Sequence, residues 1–206
     1  MKITLAAVCA AMVVCTCQAG WAREWQVSPM VGYTFGGSFE EEGSDTELSL
    51  KETASYGIAV STEHEKDTRY EFFYSRQPTE LKVDEGILSD DALFDIDVHY
   101  IQIGGTVMLS EEQHFACPYI VGTLGITHLN PRSSGFDSMT RPSLGLGIGA
   151  LVPLVKHFGL RFEGRGFATL INSSGTVFSN DQGLSIRIRS DAFTQFVFNA
   201  GFFFSF

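Results

Sequence analysis

The stretch RPSLGLGIGALVPL, from Arg141 to Leu154, alternates between two kinds of residue. Serine and glycine occupy its odd positions from 143 to 149, and apolar residues fill the even positions, which are Pro142, Leu144, Leu146, Ile148, Ala150, Val152 and Leu154. The end of the chain repeats the pattern, with apolar residues at Phe196, Phe198, Ala200, Phe202, Phe204 and Phe206. A period of two residues predicts a β-strand whose two faces meet different surroundings.

Eight segments of this kind lie between turn signals, and no stretch after residue 22 has convincing helical periodicity. They predict strands over residues 25–39, 53–63, 69–81, 95–109, 115–129, 141–154, 160–171 and 192–206. The apolar parity of 95–109 changes near Tyr100, and the pattern of 115–129 leaves its two faces unassigned. Aromatic residues near strand ends are expected to form two interfacial girdles; they include Trp25, Tyr33, Phe39, Tyr70, Tyr100 and Phe206.

Short and long connections alternate along the chain. The short links are 63–69, 110–114 and 155–159, and the long polar links are 40–52, 82–94, 130–140 and 173–190. Both chain ends therefore lie on the side of the short links. An even number of strands connected in this way is typical of an up-and-down barrel in an outer membrane.

The face opposite the apolar stripes indicates which solvent surrounds the barrel. It consists mainly of Gly, Ser, Ala and Thr, whereas a barrel in water needs charged residues over its outer face. Small side chains fit the crowded interior of an eight-stranded barrel. The apolar stripes must then face lipid, because their exposure to water costs ~25 cal/mol per Å². The predicted fold is an all-β, eight-stranded antiparallel up-and-down transmembrane β-barrel.

The N-terminal residues have the pattern of a secretory signal, with a positive start, an apolar run and small residues after it. The apolar run covers residues 3–14, which is too short for a membrane-spanning helix of ~20 residues. We predict a signal peptide over residues 1–22, cleaved near Ala19 or Ala22, and a barrel domain over residues 23–206.

Cysteine positions and net charge restrict the remaining classes. A lipoprotein leader with lipid on Cys15 or Cys17 is the alternative, but neither residue follows the small residue that such leaders carry. Removal of the leader leaves Cys117, expected to be a small buried or lipid-facing group, and no intramolecular disulfide. The formal net charge of -10 disfavours nucleic acid as a partner, because phosphate binding needs a basic surface.

The sequence resembles small barrels of bacterial outer membranes. FVFNAGFFFSF at 196–206 resembles their closing strand, and PYIVGTLG at 118–125 and LRFEGRG at 160–166 are similar to segments of OmpA-like and opacity-protein-like barrels. The resemblance implies a Gram-negative outer-membrane location, periplasmic termini, and contact with outer-membrane lipid and lipopolysaccharide. It also implies that the outer-membrane assembly machinery reads the terminal aromatic residues Phe202, Phe204 and Phe206.

Four charged residues share the small-residue faces, and these are Glu71, Arg161, Glu163 and Arg165. A lone charge in a narrow lumen is costly, whereas a paired charge is tolerated. We therefore expect the two glutamates to meet the two arginines, as the resemblance to small barrels with interior ion networks also implies. A structural plug is the predicted role, and a transport or catalytic site is the alternative.

The predicted function is a non-enzymatic structural or surface-interaction role, without a cofactor or metal and with an unknown surface ligand. A narrow solute or ion channel is the first alternative; a wide pore is disfavoured because open channels need ~16 strands. A lipid-modifying enzyme or a protease is the second alternative, for which His128 with Ser133 or Ser134 is the candidate pair.

The long links carry most of the acidic residues, and a solvated anionic surface is the expected role. Because no twelve-residue calcium loop is present, binding of Ca²⁺, Mg²⁺ or a basic partner is the alternative. The acidic residues are Glu40, Glu41, Glu42, Asp45, Glu47, Glu52, Glu80, Asp84, Glu85, Asp90, Asp91 and Asp95. Four arginines are candidate contacts to lipopolysaccharide phosphates, namely Arg132, Arg141, Arg187 and Arg189.

Overall fold

The computed structural model describes residues 24–40, 47–65, 67–84, 90–109, 115–132, 138–171, 176–179, 185–187 and 192–206. Strands in this part of the chain are β1 (Trp25–Gly36), β2 (Ser38–Glu40), β3 (Glu47–Leu50), β4 (Thr53–Glu65), β5 (Thr68–Asp84), β6 (Asp90–Met108), β7 (Cys117–Pro131), β8 (Met139–Val155), β9 (Phe158–Leu170), β10 (Thr176–Ser179), β11 (Ser185–Arg187) and β12 (Ala192–Ser205). No helix among the described residues is long and apolar enough to cross a bilayer.

Eight strands close into a barrel in the order β1, β4, β5, β6, β7, β8, β9 and β12, and every neighbouring pair is antiparallel. Pairing of β12 with β1 completes the ring, and hydrogen bonds between the backbones of Trp25 and Phe206 extend this last pairing to its end. A closed ring has no unpaired edge, which is the condition for β-structure in hydrocarbon. The predicted fold and its eight strands are confirmed.

The strands are strongly staggered around the barrel. A path through paired residues that starts at Gln26 returns to β1 at Gly36, ten residues further along. On the way it passes Ser61, Glu71, Gly104, Thr123, Gly145, Phe167 and Gln195. A stagger of this kind accompanies the strand tilt of ~35–45° that closed barrels have, and it sets the narrow lumen of an eight-stranded barrel.

The apolar stripes form the outer face of the barrel. Leu146, Ile148 and Phe198 expose 72%, 69% and 66% of their surface. We call this outer surface the apolar belt. Exposed aromatic residues lie near both of its edges, with Trp25, Tyr70, Phe204 and Phe206 near the chain ends and Tyr33, Tyr56 and Phe196 towards the long links. Tyr100 is an exception to the predicted girdles, because it is buried in the lumen.

Three of the predicted long links, in the residues that the structure describes, contain β-structure beyond the barrel wall: 40–52, 82–94 and 173–190, where β10 pairs with β11. The chain leaves the barrel wall after β1 at Gly36 and Gly37, whose φ angles of 77° and 107° favour glycine, so the predicted strand 25–39 is interrupted there. β2 then pairs with β3, and β3 pairs with an extension of β5 beyond the barrel. The polar composition of these links predicted loops and so concealed the strands.

The face assignments of β6 and β7 follow from their continuous registers. Ile96, Val98 and Tyr100 face the lumen together with Gln102, so the change of apolar parity near Tyr100 does not reverse the faces of the strand. The register of the strand is continuous through this point, and the residues that face the lumen become apolar. In β7, the lumen side carries Cys117, Tyr119, Val121 and Thr123, and the belt side carries Ile120, Leu124 and Ile126.

Candidate functional site in the lumen

The four charged residues predicted for the lumen meet in one cluster, which we call the charge network. Arg161 donates from Nη2 to Glu71 Oε2 at 2.7 Å and to Glu163 Oε2 at 2.6 Å. Arg165 donates from Nη2 to Glu71 Oε1 at 2.6 Å and from Nε to Glu163 Oε1 at 2.8 Å. Each glutamate therefore bridges both arginines.

Two aromatic residues complete the cluster, and the sequence pattern did not indicate either. Tyr119 donates its hydroxyl proton to Glu163 Oε2 at 2.7 Å and accepts a hydrogen bond from Arg161 Nε at 2.8 Å. The guanidinium carbon of Arg165 lies 4.0 Å from the ring centre of Phe73. A guanidinium over an aromatic face gains cation–π energy, which is larger in a desolvated site.

The charge network is neutral overall and shielded from bulk solvent. Its ionic side chains are between 0% and 2% exposed, and two positive charges balance two negative charges. The cavity beside Glu71, Tyr119 and Arg161 has a volume of about 10 Å³, roughly the space of one water molecule. Burial of such charges is costly, and pairing with several charge-assisted hydrogen bonds offsets that cost.

Polar pairs continue the filling of the lumen towards the long links. Gln102 Nε2 donates to Ser143 Oγ at 2.7 Å, and Tyr100 OH donates to Gln195 Oε1 at 2.6 Å. Tyr100 also stacks on Phe167 with 3.9 Å between ring centres. These contacts join strands on different sides of the barrel and leave little room for solvent between them.

Apolar residues close the lumen towards the long links and share its other end with polar groups, because Gln26 there accepts hydrogen bonds from Ser61 at 3.4 Å and from Arg69 at 3.0 Å. Towards the long links, residues that are at most 7% exposed close the lumen: Leu50, Leu81, Ile96, Val98, Leu129, Met139, Ile171 and Phe193. Towards the chain ends, a second cluster contains Cys117, Tyr119, Val121, Leu151 and Phe203. The described lumen is therefore packed with side chains along its length.

Gly149 makes room for the tyrosine of the charge network. It pairs with Tyr119 across β7 and β8, and a Cβ atom at this position overlaps the Tyr119 ring and lies 2.6 Å from the carbonyl oxygen of Phe162. Glycine is required here because the tyrosine crosses the lumen directly over the backbone.

We predict that Gly149→Ala lowers the free energy of unfolding by about 1–3 kcal/mol, because a methyl group in a filled lumen forces Tyr119 away from Glu163. Gly122→Ala is the matched control, since its added methyl faces the belt and meets Leu146 at 3.7 Å. Urea unfolding of the two variants in detergent micelles measures the difference. An equal effect of both substitutions contradicts the close contact at Gly149.

The structure describes one of the three residues proposed for the enzyme alternative. His128 lies on the outer face of β7, where its Nδ1 and the hydroxyl of Thr140 are 2.8 Å apart. Ser133 and Ser134 lie outside the described residues.

The structure likewise describes only some of the charged residues of the long links. Glu80 pairs with Lys51 at 3.1 Å on the surface. Arg132 lies on the outer side of the barrel, bonded to Asp97, whereas Arg141 lies on the lumen side of β8 opposite Thr127, so these two arginines do not share one face. The side chains of Arg187 and Arg189 and most of the predicted acidic residues lie outside the description. No group of three or more His, Cys, Asp or Glu suited to a metal occurs in the described part.

A polar cluster on the outer wall was missed by the sequence analysis. Asp97 accepts hydrogen bonds from Arg76 at 2.9 Å and from Arg132 at 2.8 and 3.0 Å. The hydrogen bonds and negative charge of Asp97 raise the pKa of Arg132, which lies beyond β7. His99 is two residues from Asp97 on the same face and directly opposite His128. The odd-numbered parity shared by Asp97, His99 and Ile101 was the signal available in the sequence.

Comparison with known proteins identifies the fold. No protein-family model and no curated protein sequence matches the chain. Among solved structures, Neisserial surface protein A aligns with a TM-score of 0.57 and 14% identity over 88% of this chain and 97% of that chain. OprG from Pseudomonas aeruginosa aligns with a TM-score of 0.57 and 15% identity, over 90% of this chain and 96% of that chain. AlkL, whose structure was determined in lipid bilayers, aligns with a TM-score of 0.54 and 13% identity, over 92% of this chain and 93% of that chain.

At this level of identity the similarity shows the fold alone. The chain is an eight-stranded transmembrane barrel of the type found in outer membranes, as the resemblance of its sequence implied. The neighbours include outer-membrane proteins of Gram-negative bacteria, and an outer-membrane location is consistent with them. The apolar belt gives a physical reason for a membrane location, because an apolar outer surface of this kind requires contact with lipid.

Proposed function

We propose that this protein is a non-enzymatic outer-membrane barrel with a sealed lumen, whose loops at the long-link end carry a structural or surface-binding role. The observation that supports the proposal is the filling of the described lumen by the charge network, by the apolar residues towards the long links and by the mixed apolar and polar residues towards the chain ends. Polar groups that bond one another inside the barrel are not free to bind or transform a solute. The barrel then serves as a membrane anchor that positions loops.

The proposal includes an orientation and a set of partners. The chain ends and short links face the periplasm, the long links face the exterior, and outer-membrane lipid and lipopolysaccharide contact the apolar belt. Phe202, Phe204 and Phe206 are exposed on the outer face at the end of β12, as recognition by the assembly machinery would require.

We expect the refolded protein to give no conductance above the lipid baseline in a planar bilayer, because side chains occupy the lumen from end to end. A porin inserted under the same conditions serves as the positive control. Discrete conductance steps that require the folded barrel contradict the sealed lumen and favour the channel alternative.

The channel alternative has one observation in its favour. Several buried polar atoms of the lumen have no hydrogen-bond partner among the described residues, and these are Gln26 Nε2, Ser28 Oγ, Gln102 Oε1, Arg165 Nη1 and Asn199 Nδ2. A file of water molecules would satisfy them. Arg165→Ala separates the two functions: a gate predicts a folded barrel with new conductance, whereas a structural plug predicts loss of folding without conductance.

A further inference from the structure

Two histidines lie side by side on the outer wall of the barrel, at the long-link edge of the apolar belt. His99 on β6 and His128 on β7 are directly paired across the two strands. Their ring centres are 6.0 Å apart and their planes are inclined by 47°. Neither ring is fully buried within the protein.

A hydroxyl group on the next strand orients each ring. His99 Nδ1 is 3.0 Å from the hydroxyl of Tyr74 on β5, and His128 Nδ1 is 2.8 Å from the hydroxyl of Thr140 on β8. The strand order β5, β6, β7, β8 turns the two Nδ1 atoms away from each other. When each Nδ1–H donates to its hydroxyl oxygen, each Nε2 carries a free lone pair. Among the described residues, neither Nε2 has a hydrogen-bond partner.

This arrangement has the features of a two-histidine metal clamp. Metal-bound histidines commonly donate their second ring nitrogen to an oxygen atom, which fixes the tautomer and the ring orientation. With metal–nitrogen bonds of ~2.0–2.1 Å, two imidazoles on one tetrahedral ion have ring centres roughly 5 Å apart. The observed 6.0 Å is about one ångström longer, so binding of one ion requires the two rings to move closer together.

We propose that His99 and His128 bind one imidazole-seeking divalent transition metal ion, such as Cu²⁺, Zn²⁺ or Ni²⁺, through their Nε2 atoms on the outside of the barrel. Imidazole nitrogen selects these ions over Ca²⁺ and Mg²⁺, which require oxygen ligands. Asp97 is nearby, but its carboxylate is bonded to Arg76 and Arg132. Water or a ligand from outside therefore fills the remaining coordination positions. The site does not depend on whether the lumen conducts.

The test titrates Cu²⁺ alone into the purified protein, refolded in detergent and freed of chelators. Calorimetry is expected to give one ion per barrel, and electron paramagnetic resonance is expected to show coupling to two imidazole nitrogens. His99→Gln and His128→Gln should each weaken binding at least tenfold and remove one nitrogen coupling. His157→Gln, an exposed residue in the turn between β8 and β9, is the matched control and should change neither readout.

The hydroxyl partners give a second, independent measurement. Tyr74→Phe and Thr140→Val are expected to weaken Cu²⁺ binding about tenfold while both nitrogen couplings persist, as for other outer-shell partners of metal ligands. Heat-modifiable migration verifies that each variant is folded. Absence of binding to the folded wild-type protein overturns the proposal. Binding that survives in the double variant His99→Gln with His128→Gln overturns it equally, because the ion then lies elsewhere.

Discussion

Glu163→Ala is expected to lower the free energy of unfolding by about 3–5 kcal/mol, the cost of breaking a buried ion pair by removal of one partner. Glu163 accepts hydrogen bonds from Arg161, Arg165 and Tyr119 at 2.6–2.8 Å. Its removal leaves two buried guanidinium groups with the single carboxylate of Glu71. The measurement is urea unfolding in detergent micelles, with the folded fraction monitored by heat-modifiable migration.

Glu80→Ala is the control for this prediction. Glu80 also has a cationic partner, Lys51, but their side chains are 35% and 44% exposed. Water replaces the lost partner there, so the expected change is at most ~1 kcal/mol. The double variant Glu163→Gln with Arg165→Met is expected to recover part of the loss, because it restores the balance of buried charge. Equal losses in Glu163→Ala and Glu80→Ala are incompatible with a network shielded from bulk solvent.

Leu146→Arg is expected to destabilise the folded protein by about 2–4 kcal/mol in lipid vesicles, because it places a cation near the middle of the apolar belt. Leu154→Arg is the matched variant on the outer face of the same strand, near the short turn that leads to β9, where the expected cost is ~0–1 kcal/mol. Both side chains are exposed in the absence of lipid, at 72% and 54%. The difference between the two variants therefore reports depth in the membrane and not packing within the protein.

Equilibrium unfolding from phosphatidylcholine vesicles measures both free energies. A barrel surrounded by water would tolerate either arginine equally well. Two small and equal changes are therefore the result that argues against a transmembrane position of the belt.

The barrel wall could be predicted from the sequence because its two faces meet different solvents. In β8, apolar and small residues alternate without exception from Ser143 to Ile148, and the structure places them outside and inside respectively. Glu71, Arg161, Glu163 and Arg165 stood out for the same reason, as charges on the small-residue face. Their relative positions depend on the stagger of non-adjacent strands, which alternation does not specify.

The sequence pattern was misleading where both faces of a strand are apolar or both are polar. Ile96 and Val98 resemble belt residues, yet they close the lumen. The extensions of β5 and β6 run into a predicted long link, whose acidic residues indicated a loop instead of a strand. Tyr119 and Phe73 contact the charge network across the lumen, and only the closed ring brings them to it.

The seam between β1 and β12 joins the first barrel strand to the last, so residues some 170 positions apart in the chain become neighbours. A shorter portion of the polypeptide cannot form this ring, because its two edge strands keep unpaired backbone N–H and C=O groups until β12 pairs with β1. The barrel can therefore close only after the whole chain has been synthesised and transported. Until then the unfolded chain has to be kept from aggregating. Such long-range pairing makes the final step of folding slow.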